Sequence, residues 1–360
     1  MKLNNKTILI ISPQEWGHLQ VSKHNYAKEL AKKGNSVYFL NPPTDNKSII
    51  NKVIETEHKN LKVINYKGFM KGLRYLPKFI SRFLIHWKFL KIHKIISTEI
   101  DLIWSFDDSV FFDFNAIPKH IFCILHIVDL TQDFNFKTAA SSANLCLGVS
   151  TPIVRKLKEF NRRSFMINHG VILENNNSKT ILPGKNKIKC LYAGNLDIKY
   201  IDWELLHKLF LLHTEIDFIL CGSLENNETI AEIENVYYLG IVQSNKLLSY
   251  YKAADLLLLT YLNRKYPEQL ANPHKLMGYL ASGKATLATW TEDYSLSIKE
   301  DILYMAKTSD DYIKLFKEIT SNLDHYNSNM NQKKRQLFAE ANSYENQILR
   351  IEKLMSKNGR

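Results

Sequence analysis

Residues 256–289, LLLLTYLNRKYPEQLANPHKLMGYLASGKATLAT, hold the densest chemical signal in the chain. An apolar strand runs through a polar loop into a segment that opens at Asn272-Pro273 and closes at Ser282-Gly283. Asn is a favoured N-cap and Pro a favoured first helical residue, so the local chemistry predicts a helix over 272–282. The first turn of such a helix presents unpaired N–H groups and the positive end of the dipole, and Lys275 adds a full charge there. A diphosphate could be held at this point without a metal ion. The same residues could also do no more than cap a structural helix.

Other chemistry-bearing residues stand at the ends of apolar runs. Gly194 follows IKCLYA, permits close backbone approach, and is followed by Asn195. His126 follows IFCIL and precedes Asp129, at the carboxyl edge of a predicted strand, where ligands enter doubly wound sheets. Asp107 and Asp108 occupy the corresponding place after DLIWSF, either touching an acceptor hydroxyl or standing as solvated loop acids. The first loop, SPQEWGHLQ, carries Gly17 beside a Trp16 expected to pack.

Elements that could position these groups alternate along the chain. Short β-branched runs at 7–11, 36–40, 61–64, 101–104, 121–125, 145–149 and 165–167 are separated by segments of helical period, the pattern of an α/β fold with parallel sheets. The stretch 174–187, with three consecutive asparagines, Pro183 and Gly184, interrupts the rhythm and reads as a linker. A second series follows, with strands at 188–193, 216–221, 236–239, 255–260 and 285–289. This predicts domains over 1–173 and 188–340, with a last helical segment over 341–360. At 360 residues the chain exceeds one ordinary core, which fits that division.

Composition narrows the function. Cys123, Cys146, Cys190 and Cys221 lie inside apolar runs without metal-ligand spacing, consistent with a reduced, cytoplasmic compartment. No D-x-D motif or other metal site is evident, and no run of about 18 apolar residues predicts a membrane span. A formal charge of +12 points to an anionic partner: nucleotide phosphate, a membrane surface or nucleic acid. Nucleic acid is disfavoured because no helix-turn-helix, zinc or RNP-like pattern accompanies the charge. Residues 66–98 carry eight Lys or Arg and no acid, many aromatics, and a stripe of Ile80, Phe83, Trp87 and Leu90 expected to pack on the sheet. Such a block suits the anionic inner face of a plasma membrane.

The run Pro273, Lys275, Leu276, Tyr279, Leu280, Ala281, Gly283 and Lys284 resembles the donor-site stretch of retaining GT-B glycosyltransferases of family 4. CLYAGNLDIKYIDWELLHKL, FILCGSL and VYYLGIVQSNKLLSYYKAADLLLLT resemble the preceding βα units of that family's C-terminal domain, and ANSYENQILRIEKLM its last helix. The resemblance implies two facing Rossmann-like domains, with a C-terminal helix returning to the N-terminal one. It implies a metal-independent transferase that takes sugar from a UDP- or GDP-sugar, with retention, to a glycan or lipid-linked acceptor in surface polysaccharide assembly. Lys275 would contact the diphosphate, His126 would approach the transferred sugar, and the Gly17 loop would lie near the phosphates. Two departures stand out. Gly278 occupies the place of a ribose-binding glutamate, and Glu268 lies two residues too far from it to match the spacing of the family's two acids. Asn195 and Asp202, with Lys199 between them, stand where relatives carry an arginine and a lysine. A nucleotide-sugar epimerase, or a non-catalytic sugar-nucleotide or membrane-binding scaffold, would share the fold.

Overall fold

A computed structural model describes residues 1–17, 21–68, 72–130, 135–173, 180–225, 230, 232–298 and 300–356. The chain forms two compact units, Met1–Asn168 with Tyr344–Arg360, and His169–Ser343. Much of the expected linker, 174–179, lies outside the described residues.

The first unit is built on an eight-stranded sheet of β1 (Thr7–Ile11), β2 (Ser36–Leu40), β3 (Val53–Glu55), β4 (Leu61–Ile64), β5 (Leu102–Ser105), β6 (Phe122–Ile127), β7 (Leu145–Gly148) and β8 (Ser164–Met166). Their spatial order is β3-β4-β2-β1-β5-β6-β7-β8, and only β3 runs antiparallel to its neighbour. The central strands are apolar on both faces, as a sheet covered on both sides requires. The exposed edge strand β3 has no such run, and the sequence pattern did not show it. Around the sheet stand α1 (Ser22–Lys32), α2 (Lys78–Ile96), α3 (Phe136–Ser142) and α4 (Thr151–Lys158). Helix α1 buries Tyr26, Ala27, Leu30 and Ala31 and stops at Gly34, whose φ of 87° is the left-handed turn glycine permits.

The second unit holds six parallel strands: β9 (Ile188–Ala193), β10 (Ile216–Cys221), β11 (Val236–Tyr238), β12 (Leu256–Leu259), β13 (Ala285–Thr289) and β14 (Tyr304–Ala306). Their order, β11-β10-β9-β12-β13-β14, reverses direction between β9 and β12. Its helices are α5 (Trp203–Leu212), α6 (Ser244–Ala253), α7 (Lys275–Ser282), α8 (Ser309–Ser321), α9 (Leu323–Tyr326) and α10 (Asn329–Ala341). The last helix, α11 (Tyr344–Ser356), returns to the first unit as expected. Tyr344 meets Tyr26 edge-on with ring centres 4.9 Å apart, and Glu352 accepts the Leu3 N–H at 2.7 Å.

Three expectations are corrected here. Helix α7 begins at Lys275 rather than at Pro273, with His274 in the cap position and no side-chain cap. Helix α2 turns the other way round: Ser81, Ile85, Phe89, Ile92 and Ile96 face the core, while Phe83, Trp87 and Leu90 are exposed. Both faces of α2 are apolar, and the core selects the one where small Ser81 and three isoleucines permit close packing. Asp107 and Asp108 are buried rather than solvated.

Helix α10 contributes the fully buried Arg335, which holds the end of α7. Its guanidinium donates to the carbonyls of Gly283 at 2.9 Å and Tyr326 at 2.8 Å, and to the Tyr304 hydroxyl at 3.1 Å. A cation at a helix C-terminus is favoured by the dipole, and these acceptors have no water to turn to. Arg335→Leu is therefore expected to cost about 3 kcal/mol, the range for stranding buried partners of a charged group. Denaturant unfolding checks this, and a change below about 1 kcal/mol would contradict the assignment.

Candidate functional site

Three glycines end the three adjacent strands β9, β10 and β11. Gly194, Gly222 and Gly240 all have positive φ, at 144°, 147° and 68°. The Gly194 N–H donates to the Cys221 carbonyl at 2.8 Å, and the Gly222 N–H to the Gly240 carbonyl at 2.7 Å. A Cβ on Gly222 would fall 1.8 Å from the Gly194 oxygen, and one on Gly194 would fall 2.0 Å from Lys275 Cε. The strand ends are thus stitched together with bare backbone, and the Lys275 stem lies directly against it. This is the carboxyl edge of the sheet where the strand order reverses, the place at which open α/β sheets bind ligands.

The Lys275 ammonium donates to the hydroxyls of Tyr192 at 2.9 Å and Tyr261 at 2.5 Å, and lies 4.9 and 5.1 Å from their ring centres. Tyr192 ends β9, and Tyr261 follows β12, so the two phenols flank the point where the strand order reverses. Burial lowers the lysine from 10.5 to about 7. Burial also pushes the Tyr261 hydroxyl up to about 12, and Tyr192 upward likewise, so both phenols stay neutral. Among the described residues no carboxylate pairs with Lys275. The cation is held by two neutral oxygens, an arrangement that leaves its charge available to an anion.

Its supports are rigid. The Tyr279 hydroxyl accepts the Ala193 N–H at 2.9 Å, tying α7 to the end of β9. The Tyr261 N–H donates to Thr289 Oγ1 at 3.0 Å, and that hydroxyl donates to Asn263 at 2.9 Å. Buried His169, lowered by burial to about 4 and therefore neutral, donates through Nε2 to the Asn272 carbonyl at 3.1 Å. That bond anchors the turn 272–274, in which the Leu276 N–H reaches back to the Pro273 carbonyl at 3.2 Å. Asn272 is consequently spent on the turn, and α7 starts three residues later.

The other predicted residues are dispersed. Asn195 is exposed and accepts the Asp197 N–H at 2.8 Å, shaping its own loop. Glu268 is exposed in the loop after β12. Asp202 caps α5 by accepting the Leu205 N–H at 3.0 Å, and Lys199 lies 5.4 Å from the ring centres of Tyr200 and Tyr266. Gly278, in α7, would direct a Cβ to 3.4 Å from the Tyr251 ring. Tyr192, Tyr261 and His169 were not singled out from the sequence, where tyrosines in apolar runs read as core.

In the first unit, Gly17 is exposed in the loop after β1, beside Trp16, which packs as expected on Phe39 and His24. His126 is 1% exposed and walled by aromatic rings, with Phe106 stacked at 4.9 Å and Tyr26 at 5.5 Å. Its Nδ1 accepts the Trp104 indole N–H at 3.3 Å. Lys23, in the first turn of α1, is lowered by burial to about 8, with Asp107 and Asp129 opposing the shift. A cavity of about 550 Å³ opens in the same unit, lined by Thr44, Asp45, Lys67, Arg74 and Ser109 among others. Among the described residues no cluster of His, Cys, Asp or Glu is arranged to hold a metal ion.

No family model matches the chain, and no curated protein matches it in sequence. Solved structures resemble it over their whole length. A glycosyltransferase from Rickettsia africae ESF-5 is 14% identical and superposes with a TM-score of 0.70, covering 99% of this chain and 100% of that one. Sucrose-phosphate synthase from Thermosynechococcus elongatus is 14% identical, with a TM-score of 0.68 over 97% and 98%. Anabaena HepE in complex with UDP and glucose is 14% identical, with a TM-score of 0.63 over 98% and 100%. At this identity the likeness establishes the fold, that of the GT-B glycosyltransferases.

The two glycines near Lys275 should respond oppositely to alanine. Gly194→Ala is expected to lose about 2 kcal/mol or more, from a strained φ and a collision with the lysine stem. Gly278→Ala is expected to gain up to about 1 kcal/mol, since it sits inside a helix with only an ordinary contact ahead of it. Unfolding midpoints of the two variants decide, and equal effects would contradict the geometry. His126→Ala should cost about 3 kcal/mol, as for other aromatic truncations in a packed core. A loss below about 1 kcal/mol in denaturant unfolding would mean that the ring is not wedged as described.

Proposed function

We propose that the chain is a glycosyltransferase whose second unit binds the diphosphate of a UDP- or GDP-sugar at Gly194 and Lys275. The observation that carries this reading is the Lys275 ammonium, set at the switch point of a parallel sheet among bare glycine backbone with no carboxylate partner among the described residues. Full-length likeness to glycosyltransferases, one of them solved with UDP and glucose, supports it.

In this reading, negative charge gathers on the diphosphate as the sugar departs. Lys275 and the first N–H groups of α7 stabilise that charge, and Gly194 lets the phosphate approach the backbone. Asn272 and Pro273 set the turn that aims those groups, while Asn195 and Glu268 are proposed contacts to the remainder of the donor. The positive charge comes from the protein, so the scheme calls for no metal. Transfer proceeds with retention to a glycan or lipid-linked acceptor in surface polysaccharide assembly, with the first unit binding the acceptor and Gly17 contributing from the loop after β1. His126 acts there as a positioning residue behind Phe106. The basic block 66–98 would hold the enzyme at the cytoplasmic face of an anionic membrane. A second reading, a sugar-nucleotide-binding scaffold without turnover, draws on Gly278 standing where the resemblance expects a glutamate.

Thermal unfolding with UDP-, GDP- and dTDP-sugars tests the proposal. A cognate donor at about 100 times its Kd is expected to stabilise the chain by about 2.7 kcal/mol. Lys275→Ala should remove most of that gain. The pH dependence has a definite sign. The free lysine titrates at about 7, and a bound diphosphate favours its charged form, so binding takes up a proton and weakens as pH rises above about 7. The ligand-free chain moves oppositely. The unfolded state keeps the proton up to 10.5, so stability rises with pH between about 7 and 10.5. Calorimetry in buffers of different ionisation enthalpy reads the proton directly. No shift with any nucleotide sugar, or one unchanged by Lys275→Ala, overturns the reading. A shift without transfer across an acceptor panel selects the scaffold.

A further inference from the structure

The solvent-facing side of α2 is a continuous apolar ridge. Phe79 is 75% exposed, Phe83 67%, and Trp87 and Leu90 47% each, with Tyr75, 77% exposed, just ahead of the helix. Their spacing places Phe79, Phe83, Trp87 and Leu90 along one side of the helix, over about 16 Å of its length. The opposite side carries the buried residues Ile85, Phe89, Ile92 and Ile96, so the core already has its full contact with this helix. A soluble helix ordinarily turns charge outward where this one shows aromatic rings.

Charge borders the ridge. Lys78, Lys91 and Lys94 are exposed, and the Lys91 ammonium lies 3.5 Å from the centre of the Trp87 ring. The Arg74 guanidinium lies 4.8 Å from the Tyr75 ring centre. Residues 66–98 contain no acid. No described helix is long and apolar enough to cross a membrane, and α2 with its flanking lysines is no exception.

We propose that this ridge inserts into the interfacial layer of an anionic phospholipid bilayer, with α2 lying in the plane of the surface. Phe79, Phe83 and Leu90 would enter the acyl boundary. Trp87 would sit at headgroup level, and the lysines would reach up to the phosphates. A second copy of the chain is the poorer occupant, since stacking this face on itself would set an acid-free basic border against another. The proposal deepens the membrane part of the reading above. It replaces attraction by charge alone with insertion by named side chains, and it stands whether or not the chain transfers sugar.

The test uses the full chain and phosphatidylcholine vesicles with and without phosphatidylglycerol, with Phe79→Ser/Phe83→Ser/Trp87→Ser as the ridge variant and Lys78→Gln/Lys91→Gln/Lys94→Gln as the charge variant. All six side chains are exposed, so unfolding midpoints should hold near wild type. Wild type should co-sediment with the anionic vesicles and keep part of its binding at about 0.5 M salt, where exposed charges are screened. The ridge variant should lose about tenfold or more in vesicle affinity at low salt. Lipid-borne quenchers should dim wild-type fluorescence more than that of Trp87→Phe. Full loss of wild-type binding at high salt, or a ridge variant that binds as wild type does, overturns insertion. So does a dimer that the ridge variant dissolves. A donor-induced thermal shift, measured on the same variants, reports separately on the sugar-transfer reading.

Discussion

A lysine ammonium held by two phenols instead of a carboxylate is the constraint around which the second unit is arranged. Desolvating a cation is costly, and proteins usually offset it with a counter-ion or by letting the proton go. Here the offset is partial: two hydroxyls, with a pKa drawn down to about 7. Gly194 must be glycine because the lysine stem occupies the place of its side chain, and Gly222 must be glycine because Gly194 occupies its own. Helix α7 must be fixed at both ends, by His169 on the turn before it and Arg335 at its close. Each neighbour is explained by the demand of keeping one cation in one place.

How much of this was legible beforehand depends on the range of the interaction. Parallel strands such as β1, β9 and β10 declare themselves through runs buried on both faces, and their predicted bounds match residue for residue. Lys275 and Gly194 stood out by type and position. Tyr192 and Tyr261 did not, because a tyrosine ending an apolar strand looks like core until a partner 83 or 14 residues distant is placed on its hydroxyl. The start of α7 departs from local preference for the same reason. Local preference favoured Asn272 as a cap, and a histidine 103 residues away in sequence fixed its carbonyl in a different turn. Strands β3 and β14, three residues each, lie outside the predicted series, and β3 is an exposed edge strand with no apolar run to mark it.

Helix α2 fails in another way. A moment argument assumes one apolar face, and α2 has two. With both sides able to pack, the one carrying small Ser81 with Ile85, Phe89, Ile92 and Ile96 goes inward. What the sequence could not reveal is which side was left over, and that remainder is the chemically informative half.

The two sheets invite a comparison that bears on where an anionic ligand belongs. Each has a reversal of strand order, β1 to β5 in one and β9 to β12 in the other, and near each carboxyl edge stands a buried lysine with a lowered pKa. Lys23, at about 8, is lowered by burial, with Asp107 and Asp129 opposing the shift. For Lys275, at about 7, burial alone accounts for the shift. The first lysine can remain charged inside the unliganded fold. The second is drawn closer to neutrality, since among the described residues no charged group offsets its burial. Equal position therefore does not mean equal surroundings: Asp107 and Asp129 oppose the shift of Lys23, whereas Lys275 meets, among the described residues, only the neutral phenols of Tyr192 and Tyr261.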